Sequence, residues 1–201
     1  IRIVLVAPSH PGNVGAAARA MHTMGLARLV LVAPRRFPDP EADARATGAT
    51  ALLDNAHVVA TLDDALAGAA LSIGLSARSR EFAGRVLAVR AAAHEAIATA
   101  ALGEVAIVFG SEMSGLSNAE LERCALVATI PSNPGYASLN LAAAVQVAAY
   151  ELRVAATSGE VWRAPRFAPA TADEIAALHA HAERTLVAMR LLDPAMPKRL
   201  L

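Results

Sequence analysis

The sequence predicts an α/β fold, a mainly parallel sheet covered by helices on both faces, and three observations point that way. Short β-branched apolar runs recur along the chain. Alanine-rich stretches with helical spacing separate them, and no apolar run reaches the roughly 18 residues that a bilayer span needs. Such alternation builds parallel sheets buried on both sides, whose ligands sit beyond the carboxyl ends of the strands. With 201 residues, 55% of them hydrophobic, the chain can bury about 70% of its unfolded surface. A lone cysteine, Cys124, excludes a disulfide framework, fits a reducing cytoplasmic setting and reads as a small buried hydrophobe. Ile1 opens directly into strand-like sequence, which argues against a secretory leader.

Ile1 to Ala7 reads as the first strand and Leu29 to Ala33 as the second, joined by a helix from Asn13 to Met24 that Gly25 closes. The pattern repeats with a helix around Asp63 to Ala67, a strand at Leu71 to Leu75 and a helix around Ala91 to Ala101. Then come a strand at Val105 to Phe109, a helix at Asn118 to Cys124, a strand at Leu126 to Ile130 and a long helix from about Ser138 to Ala155. Gly159, Pro165 and Pro169 interrupt the alternation, so residues 1–157 read as one domain and 158–201 as a linker with a helical extension. Thr171 and Glu174 form a capping box for that last helix. Its apolar stripe, Ile175, Leu178, Ala182, Leu186 and Met189, requires burial. Both ends read as cuts in a longer sequence.

The formal net charge is zero, which excludes a bulk polycation, yet the charge is segregated. Residues 1–50 carry a surplus of +3 and 161–201 of +2, while 104–160 carry −4. Arg19, Arg28, Arg35 and Arg36 follow one another without an intervening acid. Arginine suits bidentate phosphate contacts, whereas a GC-rich genome would explain the scarcity of lysine but not the segregation. His179 and His181, two apart on a helix, face different sides and make no metal pair.

Three strand-end loops carry the candidate chemistry. Pro8 to Arg19 feeds a helix whose first turn holds Gly and Ala, so a backbone or ligand can approach closely; Asn13 is a candidate N-cap. Its glycines match neither a dinucleotide fingerprint nor a P-loop, which disfavours a nucleotide-dependent oxidoreductase. Phe109 to Ser117 places Glu112 three residues beyond a buried strand, between Gly110 and Gly115. Ile130 to Leu141 is stiffened by Pro131 and Pro134 and brings Ser138 and Asn140 to a helix start, where free N–H groups collect. Taken singly, each loop reads equally as ordinary capping and turn chemistry.

Together, Asn13, Gly15 and Arg19 (N-x-G-x-x-x-R), Phe109 to Leu116 (F-G-x-E-x-x-G-L) and Ile130 to Asn140 (I-P-x-x-x-x-x-S-L-N) resemble the three motifs of the SpoU branch of the SPOUT methyltransferases. The resemblance covers residues 1–157. Finer detail is similar to the TrmJ subfamily, which methylates the ribose 2′-hydroxyl of tRNA nucleotide 32: Ala17, Arg19, Ala20 and Met21 with Met24-Gly25-Leu26; Ser76-Ala77-Arg78-Ser79-Arg80; and Ser138 to Leu141 with Val145-Gln146-Val147 and Tyr150-Glu151. The resemblance implies a SPOUT-type fold with a C-terminal trefoil knot, a homodimer, and S-adenosylmethionine as methyl donor without a metal. General topology rules would not have offered a knot.

By the same resemblance, Leu75, Ser76, Ala77, Gly110, Glu112, Ile130, Ser138 and Leu139 form the cofactor pocket. The catalytic set is Arg19, Asn13, Glu112, Ser138 and Asn140, with Glu112 orienting Arg19 or the ribose. Position 111, often Arg in relatives, is Ser111 here. A guanidinium is a poor general base, so Arg19 is expected to clamp a phosphate and stabilise a developing alkoxide, with a proton relay by a strongly perturbed Arg19 as the alternative. Arg19, Arg28, Arg35, Arg36, Arg78, Arg80 and Arg85 are the expected tRNA contacts. Other tRNA positions, ribosomal RNA, or a non-catalytic RNA-binding role are the alternatives.

Overall fold

The computed structural model describes residues 1–77, 85–157 and 172–193. The chain divides into two compact units, Ile1–Glu160 and Val161–Leu201.

Among the described residues the first unit is built on seven parallel strands: β1 (Arg2–Val6), β2 (Arg28–Val32), β3 (His57–Val59), β4 (Ala69–Leu75), β5 (Arg85–Ala88), β6 (Glu104–Phe109) and β7 (Leu126–Thr129), in the spatial order β3-β2-β1-β6-β4-β7-β5. Its described helices are α1 (Pro11–Thr23), α2 (Pro40–Ala46), α3 (Thr50–Asp54), α4 (Leu62–Leu66), α5 (Val89–Ala100), α6 (Asn118–Glu122) and α7 (Leu141–Ala156). Successive strand residues point to opposite faces, and the apolar side chains divide accordingly. Ile3, Leu5, Leu29, Leu31, Ile107 and Phe109 join α1, α2, α5 and α7 in the larger core. Val4, Val6, Val30, Val32, Ala106 and Val108 join α4 and α6 in the smaller one.

Two expected boundaries move for identifiable reasons. The first helix starts at Pro11 rather than Asn13: Pro at the opening position is preorganised for a helix, and His10 takes the N-cap position without a side-chain bond. The long helix starts at Leu141 rather than Ser138, because the Asn140 carboxamide oxygen accepts from the N–H groups of Ala142 and Ala143 and fixes the start there. Helices α2 and α3 and strands β3 and β5 were not read from the sequence. The first three are short, and β5 is exposed or half-buried throughout, so none shows a strong period.

The amino-terminal edge of the sheet is tied by charge. The largely buried Arg2 guanidinium donates to the Ala65 and Ala67 carbonyls (3.0 and 2.9 Å) at the end of α4, where free carbonyls collect. Glu104 stands nearby and pairs with Arg28. Cys124 is buried beside Gly74, and its thiol is pushed up to about 12 by burial and by Glu120, so it behaves as a hydrophobe.

In the second unit, α8 (Ala172–Ala188) ends in a reciprocal pair of bonds. Leu191 N–H donates to Leu186 O and Arg190 N–H to Val187 O, with Arg190 in the left-handed region. The expected stripe is not covered: Leu178 and Met189 are exposed, and Ala182 and Leu186 half-buried. The unit supplies no second described element against them. The Ile175 side chain, like the capping box at Thr171, lies outside the described residues.

Helices α1 and α2 pack so closely that a Cβ on Gly15 would overlap the Ala42 carbonyl. An alanine there gains about 1 kcal/mol of helix propensity, but overpacking against backbone costs more. Gly15→Ala should therefore destabilise the protein by roughly 2 kcal/mol net, read as a lower urea midpoint; an unchanged or higher midpoint would contradict the packing.

Candidate functional site

The carboxyl ends of β4, β6 and β7, adjacent in the sheet order β6-β4-β7, open on a cavity of about 240 Å3. Leu75 ends β4 and leads to Ser76 and Ala77, and Phe109 ends β6 and leads to the loop as far as Leu116. Ile130 and Ala137 to Leu139 follow β7, with Leu141 and Ala144 from α7. Every residue expected to form the cofactor pocket, Leu75, Ser76, Ala77, Gly110, Glu112, Ile130, Ser138 and Leu139, lines this one space.

The β6 loop folds back on itself. Ser111 and Gly115 form a bridge, Gly115 takes a positive φ, and a Cβ on Gly110 would fall inside the backbone of Gly115 and Leu116. That doubling is why two glycines bracket Glu112. On the next strand over, Ala7 turns through φ +46, an uncommon conformation for a side chain with a Cβ. The turn leads into Ser9 and His10 beside the β6 loop.

There the Glu112 carboxylate gathers four donors. Ser9 N–H and Ser9 Oγ donate to one oxygen (2.9 and 2.8 Å), and His10 N–H and Asn13 Nδ2 to the other (3.2 and 2.9 Å). Asn13 Oδ1 in turn accepts from Asn140 Nδ2 at 3.0 Å. One chain of bonds thus links the loops after β1, β6 and β7 and ends at the start of α7. Burial pushes the Glu112 carboxyl up, but the bonds from Asn13, from the Ser9 and Glu112 backbone and from the Ser9 hydroxyl outweigh it and bring it down to about 2.

Of the expected catalytic residues, Asn13, Glu112 and Asn140 are joined directly. Ser138 lines the cavity with no hydrogen bond of its own among the described residues. Glu112 is fully engaged by residues 9–13 and does not contact Arg19. Arg19 lies on α1, exposed and without an ion pair among the described residues. Asn13 sits inside the first turn of α1, its side chain spent on Glu112 and Asn140 rather than on capping.

The expected RNA-binding arginines are dispersed. Arg35 is exposed beyond the carboxyl end of β2, and its N–H donates to Pro8 O, which sets it beside the Ser9 loop. Arg36 pairs with Asp39 at 2.8 Å. Arg28 and Arg85 start their strands, at the opposite end of the sheet from the cavity, and pair with Glu104 and with Glu95 (Nη2–Oε2 2.8 Å). Arg78 and Arg80 lie outside the described residues.

Sequence reasoning missed Ser9, the main holder of Glu112, and Ala144, which leaves room for the cavity on α7. Ser9 stood in the quoted loop, but only its spatial partner 103 residues away gives it a role. Among the described residues no cluster of three His, Cys, Asp or Glu could hold a metal ion, and no helix is long and apolar enough to cross a membrane.

The profile of the SpoU rRNA methylase family matches residues 1–150. The chain is 49% identical over 212 residues to the tRNA (cytidine/uridine/adenosine-2′-O-)-methyltransferase TrmJ of Pseudomonas aeruginosa, covering 100% of this chain and 82% of that protein. A probable methylase family protein from Haemophilus influenzae superposes with a TM-score of 0.75 at 42% identity, over 94% of this chain and 79% of that one. At 23% identity and a TM-score of 0.62, the SpoU methyltransferase AviRb from Streptomyces viridochromogenes, solved with AdoMet, shares the fold over 80% of this chain and 59% of its own. The chain belongs to the SpoU methylase family, and within it is similar to the TrmJ tRNA methyltransferases.

The Glu112 junction predicts a pH signature. Its bonds are complete above the ordinary carboxylate range near 4.5 and are lost as pH falls through about 2. Glu112→Gln, which sets an amide donor against donors, should lower the urea midpoint at pH 7. The gap to wild type should shrink as the pH falls from 4.5 towards 2; equal midpoints at pH 7 would refute the junction.

Proposed function

We propose that the protein transfers a methyl group from S-adenosylmethionine to the ribose 2′-hydroxyl of cytidine or uridine 32 in the anticodon loop of tRNA, and works in the cytoplasm as a homodimer. The carrying observation is the convergence of the three motif loops on one cavity in a chain so similar to a tRNA 2′-O-methyltransferase. The apolar floor and walls of Leu75, Phe109, Ile130 and Leu139, edged by backbone polar groups and the Ser76 and Ser138 hydroxyls, fit an adenosyl group with a polar tail. Bound there, S-adenosylmethionine would supply a sulfonium methyl, already a good electrophile.

The protein's work is then on the ribose oxygen. Arg19, free of any described acid, clamps the neighbouring phosphate and stabilises the negative charge that grows on the 2′-oxygen as its proton leaves to solvent. Ser138, unpartnered at the cavity, orients the hydroxyl. Glu112, Asn13 and Asn140 hold the loops in register, a positioning role that follows from the bonds they already make. Arg35, whose N–H bonds Pro8 O beside the Ser9 loop, serves as a phosphate contact, Arg36 joins by leaving Asp39, and Arg78 and Arg80 are further phosphate contacts of this reading. Arg28 and Arg85 join only by leaving Glu104 and Glu95.

Residues 1–157 form the methyltransferase domain and 158–201 a linker and helical extension. The entry of β7 between β4 and β5 supports the trefoil knot of the family, because a late strand lies between two earlier consecutive ones. A stripe on the outer side of α7, exposed Ala143 and Tyr150 with half-buried Val147 and Val154, supports the homodimer.

Methyl transfer to a panel of tRNA transcripts and ribosomal RNA fragments tests the reading. A 2′-deoxy nucleotide at position 32 should abolish transfer, and transfer to it at the wild-type rate would refute the target. Arg19→Ala should keep S-adenosylmethionine binding by calorimetry yet lose most methyl transfer, about 100-fold or more for loss of a charge-stabilising group; a near-normal rate would remove Arg19 from the chemistry. Affinity for tRNA should fall steeply with added salt.

A further inference from the structure

Aromatic side chains are scarce in this chain, 3% of residues, so an aromatic ring left in water beside the cavity calls for an explanation. Tyr136 is 80% exposed and directly precedes the lining residues Ala137, Ser138 and Leu139. The other described aromatics are placed differently. Phe109 is buried in the cavity floor, Phe37 packs against the core, and Tyr150 lies on the body of α7.

Tyr136 is also held in a fixed turn. Its N–H donates to Asn133 O at 2.9 Å, Gly135 N–H donates to Asn133 Oδ1 at 3.0 Å, and Ser132 Oγ donates to Ala137 O at 3.3 Å. Pro131 and Pro134 stiffen the same segment. The ring is therefore presented on a preorganised loop, and across the cavity mouth the β6 loop offers Met113, itself 83% exposed.

A relative 49% identical to this chain is named for action on cytidine, uridine and adenosine. Those bases carry different donor and acceptor patterns along their Watson–Crick edges but share a flat π-face, so one set of hydrogen bonds to that edge does not serve all three. Stacking can, and it is tolerant of sequence. We infer that Tyr136 is a substrate-positioning residue on which the unstacked base of the target nucleotide lies, a specificity device that admits several bases while the ribose is held for methylation. This rests on the proposed tRNA 2′-O-methyltransferase activity.

The test measures initial rates against tRNA concentration at saturating S-adenosylmethionine, using transcripts with cytidine, uridine or adenosine at the target. Tyr136→Ala should raise the tRNA KM about ten-fold, the order expected for one lost stack, by a similar factor for each base. S-adenosylmethionine affinity and the sedimentation coefficient should stay as in wild type. Tyr136→Phe should restore the KM. With 2-aminopurine at the target, fluorescence should be quenched on binding wild type and Tyr136→Phe but not Tyr136→Ala.

An unchanged KM overturns the inference. So does an effect confined to one base, failure of Phe to rescue, or a change in sedimentation, which would make Tyr136 a contact between protein copies. A wild-type protein that methylates tRNA while Tyr136→Ala matches it sinks this inference alone. A wild type that methylates no tRNA sinks the functional reading, and this with it.

Discussion

The Glu112 carboxylate accepts from Ser9 twice, from His10 and from Asn13, and through Asn13 it reaches Asn140 at the head of α7. Each loop in this junction leaves a different strand, so nothing in local chain geometry fixes one against another. A carboxylate has lone pairs for several donors and pairs strongly with them when ionised. Removing it from water costs free energy and pushes the carboxyl up, and the donors outweigh that and hold it well below its ordinary value. The cavity borders the same loops, so its shape depends on a bond network that need never touch a ligand.

Close backbone approach makes the network reachable. Gly110 lets the β6 loop double back and aim Glu112 at the Ser9 loop, and Gly15 lets α1 settle against α2. Ionic ties stand at the opposite end of the sheet, where Arg2 and Arg28 share Glu104, and on the flank of α7, where Arg90 makes a two-pronged contact with Glu151 at 3.0 Å. Arg90 is held in its charged form by that hydrogen bond and by the carboxylate charge. The junction beyond β1, β6 and β7 thus uses neutral donors and one anion, and Arg19 makes no ion pair among the described residues.

Most of the fold was legible because its period is strong. The runs at Ile1 to Ala7, Val105 to Phe109 and Leu126 to Ile130 match β1, β6 and β7 within a residue or so. The short helices at Pro40 and Thr50 and the strands at His57 and Arg85 bury too little for a pattern. The cavity residues were legible by resemblance, because three weak motifs in fixed order are jointly specific. The partner of Glu112 was not: its distance from Ser9 in sequence is set by sheet order, which periodicity does not encode. The arginines show the converse limit, since sequence gives their charge but not the acids that occupy Arg28, Arg36 and Arg85.

Strand β7 is the last of the described strands to be made, yet it fills the gap between two strands made long before. Until Leu126 to Thr129 arrives, β4 has an open edge and β5 has no neighbour in the sheet. Unpaired edges of that kind invite association with other chains. The wall of Ile130, Ala137 to Leu139 and Ala144 is later still. A chain that stops short of Leu126 would therefore carry the open edges without the wall, and the chamber takes shape only after the sheet has closed.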